Sequence, residues 1–231
     1  GNFNTALGVN TLRENTANNN TGLGWNAVRN NTSGSDNTGV GYQALVTNTT
    51  GKKNVAVGYN ALATFNNTTS SDTWNTAVGH TALHLCTTGT SNTAIGGEAL
   101  RANTTGGSNT AVGLSSLQAN TTGIENTAIG RGALDANTTA SANTAVGKDA
   151  LGANTTGDNC TAVGKDSLKL NTTGTNNSAL GKDSLLNNTT GEYNVGIGHH
   201  SLQANTTADS NVAVGTYSLK NNTTANNNTA V

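Results

Sequence analysis

The chain says nearly the same thing every seventeen residues. Residues 143–159 read NTAVGKDALGANTTGDN; the seventeen before them read NTAIGRGALDANTTASA, and the seventeen after them CTAVGKDSLKLNTTGTN. With the Gly that closes each NTAVG word as anchor, from Gly8 to Gly215, the steps are 16, 17, 17 and 21 residues, then 17 without exception. A repeat of this kind constrains the fold more than any single motif, because each unit must be one supersecondary element stacked on its neighbours.

Comparison of the repeats within the one chain shows which positions are restricted. One residue before the anchor stands only Leu, Val or Ile, and three before it Thr, Ser or Val, with Val55, Val195 and Val212 replacing the usual Thr. Four after it stands Leu, with Val28 the one exception. Thr and Val share a shape and favour strands, and a spacing of two puts both on one strand face. These three columns are the expected core. Seven after the anchor (nine in the long repeat) comes Asn, followed by a column of Thr running from Thr16 to Thr223.

A helical repeat needs apolar residues at i, i+3, i+4 and i+7 in longer units. Short apolar stretches between Gly-containing corners instead predict an all-β fold, a parallel β-solenoid (β-roll) of 13–14 coils with 17 residues per coil. At about 4.8 Å per coil the array would be on the order of 65 Å long. The expectation is a single array over 1–231, a segment of a longer fibrous protein, with a longer bulged coil at 59–78. Burying one Leu and one Val contributes roughly 3–6 kcal/mol, whereas ordering each backbone residue costs about 1–2 kcal/mol. A lone coil therefore does not fold, and stability belongs to the array.

The totals exclude several classes of function. A net charge of −1 with 10% charged residues gives no electrostatic hold on nucleic acid. No apolar run approaches the length of a membrane span, so no membrane insertion is expected in this segment. Cys86 and Cys160 each replace an Asn in different columns, which predicts unpaired thiols in structural ladders. The histidines are scattered, and strand alternation would point His199 and His200 to opposite faces, so no metal site is expected. No Ser, His and acid recur together, and Gly-rich words such as NTTGGSN precede no helix, so they are corners and not phosphate loops. No catalytic residues and no cofactors are expected.

Other columns carry surface chemistry. Directly after the anchor, successive repeats present Trp25, Tyr42, Tyr59 and His80, an aromatic ladder able to stack on itself or to receive sugar rings. The same column later holds Lys148, Lys165 and Lys182, each followed by Asp149, Asp166 and Asp183, for which diagonal pairing is expected. The long repeat carries Phe65 and Trp74, either folded back or offered for recognition. Every NTT word serves as a stacked-amide corner, or as an N-glycosylation acceptor in a eukaryotic secretory setting. Two before the anchor stands only Ala or Gly, as in Ala94, Ala111, Ala128 and Ala145; three after it stands Ala or Ser in all but Thr11, as in Ala99, Ser116, Ala133 and Ala150. By alternation these small columns should face outward and pack against another copy of the chain. The competing steric account has the coil turn so tightly that they face each other inside.

The words NTAVG-x-x-A and NTAIG-x-x-A resemble the NSVAIG-x-x-A repeats in the heads of trimeric autotransporter adhesins. The phrase GYQAL…NTTG, from Gly41 to Gly51, is similar to repeats of phage tail fibres and bacterial surface proteins. The resemblance covers the whole chain and implies a left-handed β-roll, a trimer, and a place on the cell surface or in a virion tail fibre. The period departs from it, seventeen against about fourteen in the adhesin heads. The expected function is a non-enzymatic structural segment of an extracellular fibre (surface filament, adhesin stalk or tail fibre), trimeric or packed into filaments. The alternative is a module that binds host or cell-surface glycans through the aromatic ladder and the bulged coil. A less favoured one is an ice-binding solenoid.

Overall fold

A computed structural model describes residues 1–69 and 71–231. They form two compact units, Gly1–Val112 with Asn120–Thr122, and Gly113–Ala119 with Gly123–Val231. The first holds β1 (Thr5–Leu7), β2 (Thr21–Leu23), β3 (Thr38–Val40), β4 (Val55–Val57), β5 (Thr76–Val78), β6 (Thr93–Ile95) and β7 (Thr110–Val112). The second holds β8 (Thr127–Ile129), β9 (Thr144–Val146), β10 (Thr161–Val163), β11 (Ser178–Leu180), β12 (Val195–Ile197), β13 (Val212–Val214) and β14 (Thr229–Ala230). Within each unit every strand pairs in parallel with the next, anchor column on anchor column. The architecture is the β-solenoid that the repeat predicts, and the described residues contain no helix.

What lies inside each coil differs from expectation. Leu100, Leu117, Leu134 and Leu151, four after their anchors, are buried as predicted. The strand's middle residue is buried with them, and its two neighbours are not. Ala94, Ala111, Ala128 and Ala145 are wholly inside, as are Ala99, Ser116, Ala133 and Ala150, so these eight residues form no packing face toward another chain. Conversely, the Val, Ile and Leu side chains one before the anchor point outward, and so does the Thr three before it. The steric account is the correct one. A Cβ on Gly39 would sit 2.5 Å from Val28 Cγ2, and one on Gly196 2.7 Å from Ser184 Oγ. The strand thus lies directly against the residues three and four past the anchor of the preceding coil, with room for at most a methyl group. The chain compensates where that neighbour changes: Gly22 faces Thr11, and Gly39 faces Val28, at the two places where the usual small residue or Leu is replaced.

The tight turn is built from left-handed backbone. The core leucines have φ between 47° and 53°, as in Leu45 and Leu219, a conformation that costs an ordinary residue roughly 1–2 kcal/mol. Full burial of a Leu contributes about 1.5–3 kcal/mol, which offsets it. At the anchor the constraint is absolute: Gly147 has φ 137°, and a Cβ there would lie 2.5 Å from the Gly164 carbonyl oxygen.

The remaining interior is polar and satisfied. Two asparagine columns, four before and seven after the anchor, are buried. Both donate to the carbonyl at the Gly or Ala ten after the anchor: Gly191 O accepts from Asn177 Nδ2 at 2.7 Å and from Asn188 Nδ2 at 2.9 Å. Each amide also links to its neighbour coil, as Asn171 Nδ2 to Asn154 Oδ1 and Asn188 Nδ2 to Asn171 Oδ1, both at 2.8 Å. In the other column the Oδ1 accepts the next coil's backbone N–H, as Asn177 does from Asn194 at 2.9 Å. The adjacent Thr column donates its hydroxyls coil to coil, Thr155 to Thr172 O and Thr172 to Thr189 O, both at 3.0 Å. Asn and Thr recur because each position needs a short side chain that both turns the corner and bonds along the stack.

Candidate functional site

The outward strand face is the most regular surface each unit offers. One before the anchor, the aliphatic column is half-open: Ile95 is 41% exposed, Ile129 41% and Leu180 50%. Beside it stand the outward Thr, Ser or Val residues three before the anchor, and no charged residue occurs in either column. Sequence reasoning placed these residues in the core because they carry most of the strand's apolar surface. Volume decided against it.

The edge that follows the anchor is a stacked ladder in the first unit. Trp25 and Tyr42 stack with centroids 4.7 Å apart, Tyr42 and Tyr59 at 5.1 Å, and Tyr59 and His80 at 5.3 Å, all within 14° of parallel. Ring faces that cover one another leave edges to solvent, whereas a sugar stacks on a face.

In the second unit the same edge is charged. Each Lys pairs with the Asp that follows it, Lys148 with Asp149 at 2.8 Å, Lys165 with Asp166 at 3.2 Å and Lys182 with Asp183 at 2.8 Å. The diagonal pairing expected within these rows is therefore corrected to pairing of adjacent residues, while Lys169, outside the rows, reaches Asp149 of the preceding coil at 3.7 Å. The residue two after the anchor is left-handed (φ 55° at Asp149, 57° at Asp183), so it turns to the same side as its predecessor. Lys169 adds a bridge to Asp166 at 2.9 Å. Partial burial would raise the Asp166 carboxyl, but the Lys169 and Lys165 ammonium groups outweigh it and hold it below its ordinary value.

The same geometry overturns the expectation for the histidine pair. His200 has φ 59°, and its ring lies 3.8 Å from that of His199, centroid to centroid. Asp183, one coil earlier, lies beside them, with His200 Nε2 3.9 Å from Asp183 Oδ2. Adjacent residues share a side here because the chain is not in strand conformation at that point. Partial burial and the neighbouring His199 hold the His200 imidazole below the ordinary histidine value.

The long coil splits its aromatics. Phe65 is buried and takes the interior position that Asn48 holds in the coil before it. Asn66 takes the place of the corner Thr, accepting from Thr49 Oγ1 at 2.6 Å. The Asn67-Thr68-Thr69 word does not form the corner that the repeat predicts for it. Its Asn67 Oδ1 instead accepts the Thr69 amide at 2.9 Å. Trp74 remains 56% exposed, with Lys53 Nζ 4.3 Å from its ring.

Cys86 and Cys160 are free and buried, as expected. Cys160 Sγ donates to Gly174 O at 3.3 Å, the bond an Asn amide makes elsewhere in the column, and Cys86 Sγ donates to Gly89 O at 3.5 Å. Burial pushes the Cys86 thiol up to about 12 and the Cys160 thiol up to about 11. Asn103 and Asn120, the sequon asparagines, are wholly buried, so the folded coil presents no acceptor amide at either. A shallow hollow opens where Gly152 leaves space between Asp135 and Lys169, floored by Ala153 and Leu170. Burial, then the Asp149 charge, raises the Asp135 carboxyl there. Comparison with protein-family models, with curated proteins and with solved structures finds no match to the chain.

Proposed function

We propose that this chain is a non-enzymatic structural segment of an extracellular fibre, and that it associates with copies of itself through the outward strand face. The observation that carries the proposal is the aliphatic column one before the anchor, half-open and never interrupted by a charge. A free surface position drifts to polar residues, as the exposed column twelve after the anchor does with Ser108, Glu125 and Asn159. A second copy of the same solenoid has the same spacing between coils, so two such faces match row for row. With a net charge of −1 the chain has little electrostatic repulsion to overcome. The trimer implied by the resemblance and a lateral filament both use this face.

Sedimentation of the purified chain tests the proposal. Self-association is expected, and Ile129→Lys with Ile197→Lys should convert the protein to monomer without loss of strand signal. A wild-type chain monomeric across the accessible concentration range overturns it. Glycan binding finds less support, because the aromatic faces are used in mutual stacking. One observation favours ice binding: outward Thr and aliphatic groups stand side by side in rows on the strand face. Thermal hysteresis in a monomeric wild type, lost on Thr144→Lys, would replace self-association with that function.

A further inference from the structure

We propose that Asp183, His199 and His200 form a binding site for a divalent transition-metal ion of the Zn²⁺ class. Each offers one ligand atom, and the three atoms lie within 4.8 Å of one another. Tetrahedral ligation at about 2.0–2.1 Å places ligand atoms about 3.3 Å apart. Small side-chain rotations close that difference, since His200 Nε2 and Asp183 Oδ2 already stand at 3.9 Å. The donor set is two imidazoles and one carboxylate, which suits a borderline cation and leaves room for water. An all-oxygen cation such as Mg²⁺ or Ca²⁺ finds too few oxygens.

Three features of the fold prepare the site. The left-handed backbone at His200 turns both rings to one side. Stacking between coils brings Asp183 beside His200, since both stand two after their anchors. Tyr217 lies flat on His200 at 5.3 Å and 6°, fixing the ring from the next coil. Lys182 Nζ, 2.8 Å from Asp183 Oδ2, is the local competitor. It is half-exposed, and such a pair is readily given up. Binding would join the Asp183 coil to the His199–His200 coil, stapling neighbouring repeats.

Isothermal titration of the full chain with ZnCl₂ tests this, with MgCl₂ and CaCl₂ as controls. One Zn²⁺ per chain is expected, weakened at least tenfold by His199→Ala and by Asp183→Asn, and unchanged by His80→Ala. Lys182→Ala should tighten binding, an effect that a loss of structure would not produce. Absence of Zn²⁺ binding overturns the proposal. Equal binding by the His199→Ala, His200→Ala double variant overturns it too, and so does tight Mg²⁺ binding.

Discussion

The regular coils and the long coil between Gly58 and Gly79 solve the same packing problem differently. In a regular coil the interior corner is polar: Asn171 donates to Asn154 and Gly174 and accepts from Asn188. In the long coil that corner is apolar, filled by Phe65, and the next coil continues with Cys86 in place of Asn. Each amide donates to the preceding coil, so an Asn at position 86 would face the phenyl ring with a donor unpaired, and Cys stands there instead; Asn48, on the other side of the ring, keeps its bonds to Asn31 and Gly51. The lesson is that the amide ladder is directional: each member needs an acceptor in the coil before it. On both sides of the insertion the stack continues: Thr50 Oγ1 donates to Asn67 O, the Lys52 backbone N–H to Ser71 O at 3.2 Å, and the Asn75 backbone N–H to Asn54 Oδ1 at 3.1 Å.

Phe65→Ala should give the largest effect, about 3–5 kcal/mol lost, because a phenyl-sized hole forms under a rigid corner. Urea denaturation followed by tryptophan fluorescence would measure it through Trp74. A single Phe65→Asn should be comparably damaging. Adding Cys86→Asn should recover part of the loss, with a coupling energy on the order of 1–3 kcal/mol in a double-mutant cycle. Zero coupling would break the account of a ladder in which each amide needs an acceptor in the coil before it.

In the regular coils, Asn171→Ala should cost about 2–3 kcal/mol by leaving buried Gly174 O and the neighbouring amides short of partners. Hydrogen exchange should localise the loss to the coils around Asn171, as expected of a stack whose units contact only their neighbours. Uniform destabilisation of the whole second unit would contradict that locality.

The thiols give a smaller, pH-dependent effect. Both are raised from the ordinary 9.0 by burial, so folded and unfolded chains carry the same protons below about pH 9. Above it the unfolded thiols ionise first, and stability falls as pH rises, through about 11 for Cys160 and about 12 for Cys86. Cys86→Ser and Cys160→Ser should flatten that slope in pH-dependent urea melts. At pH 8 the native thiols should resist Ellman's reagent until urea is added, and rapid native labelling would refute their burial.

Trp74→Ala should matter least. Trp74 is exposed, and its contact with Lys53 is worth about 0.5–1 kcal/mol at most. A loss above about 2 kcal/mol in thermal melts would mean that the bulge, and not Phe65, anchors the long coil.

Much of this was legible in the residues. The period of seventeen, the strand word and the anchor glycines point to a parallel β-solenoid. The Leu column was correctly placed inside, and the unpaired thiols followed from their columns. The two histidines were placed on opposite sides because alternation was carried past the end of the strand, where left-handed residues such as His200 and Asp183 break it. No sequence rule signals φ > 0 for His or Leu, so that step needed coordinates. The long coil was found from its spacing, but its register was not. An NTT word looks like a corner wherever it occurs, whereas the space under Gly51 fits the Phe65 ring.

The sequence by itself determined that the chain stacks identical coils, where each begins, and which columns tolerate no change. Only the tertiary structure decided which strand face is inside. Apolar area alone favours burying Val146 and Ile129, yet Ala145 and Ala128 are buried instead. The reason is geometric. The left-handed leucines bring the opposite wall within a methyl group's reach of the strand, so the larger aliphatic groups can only point outward.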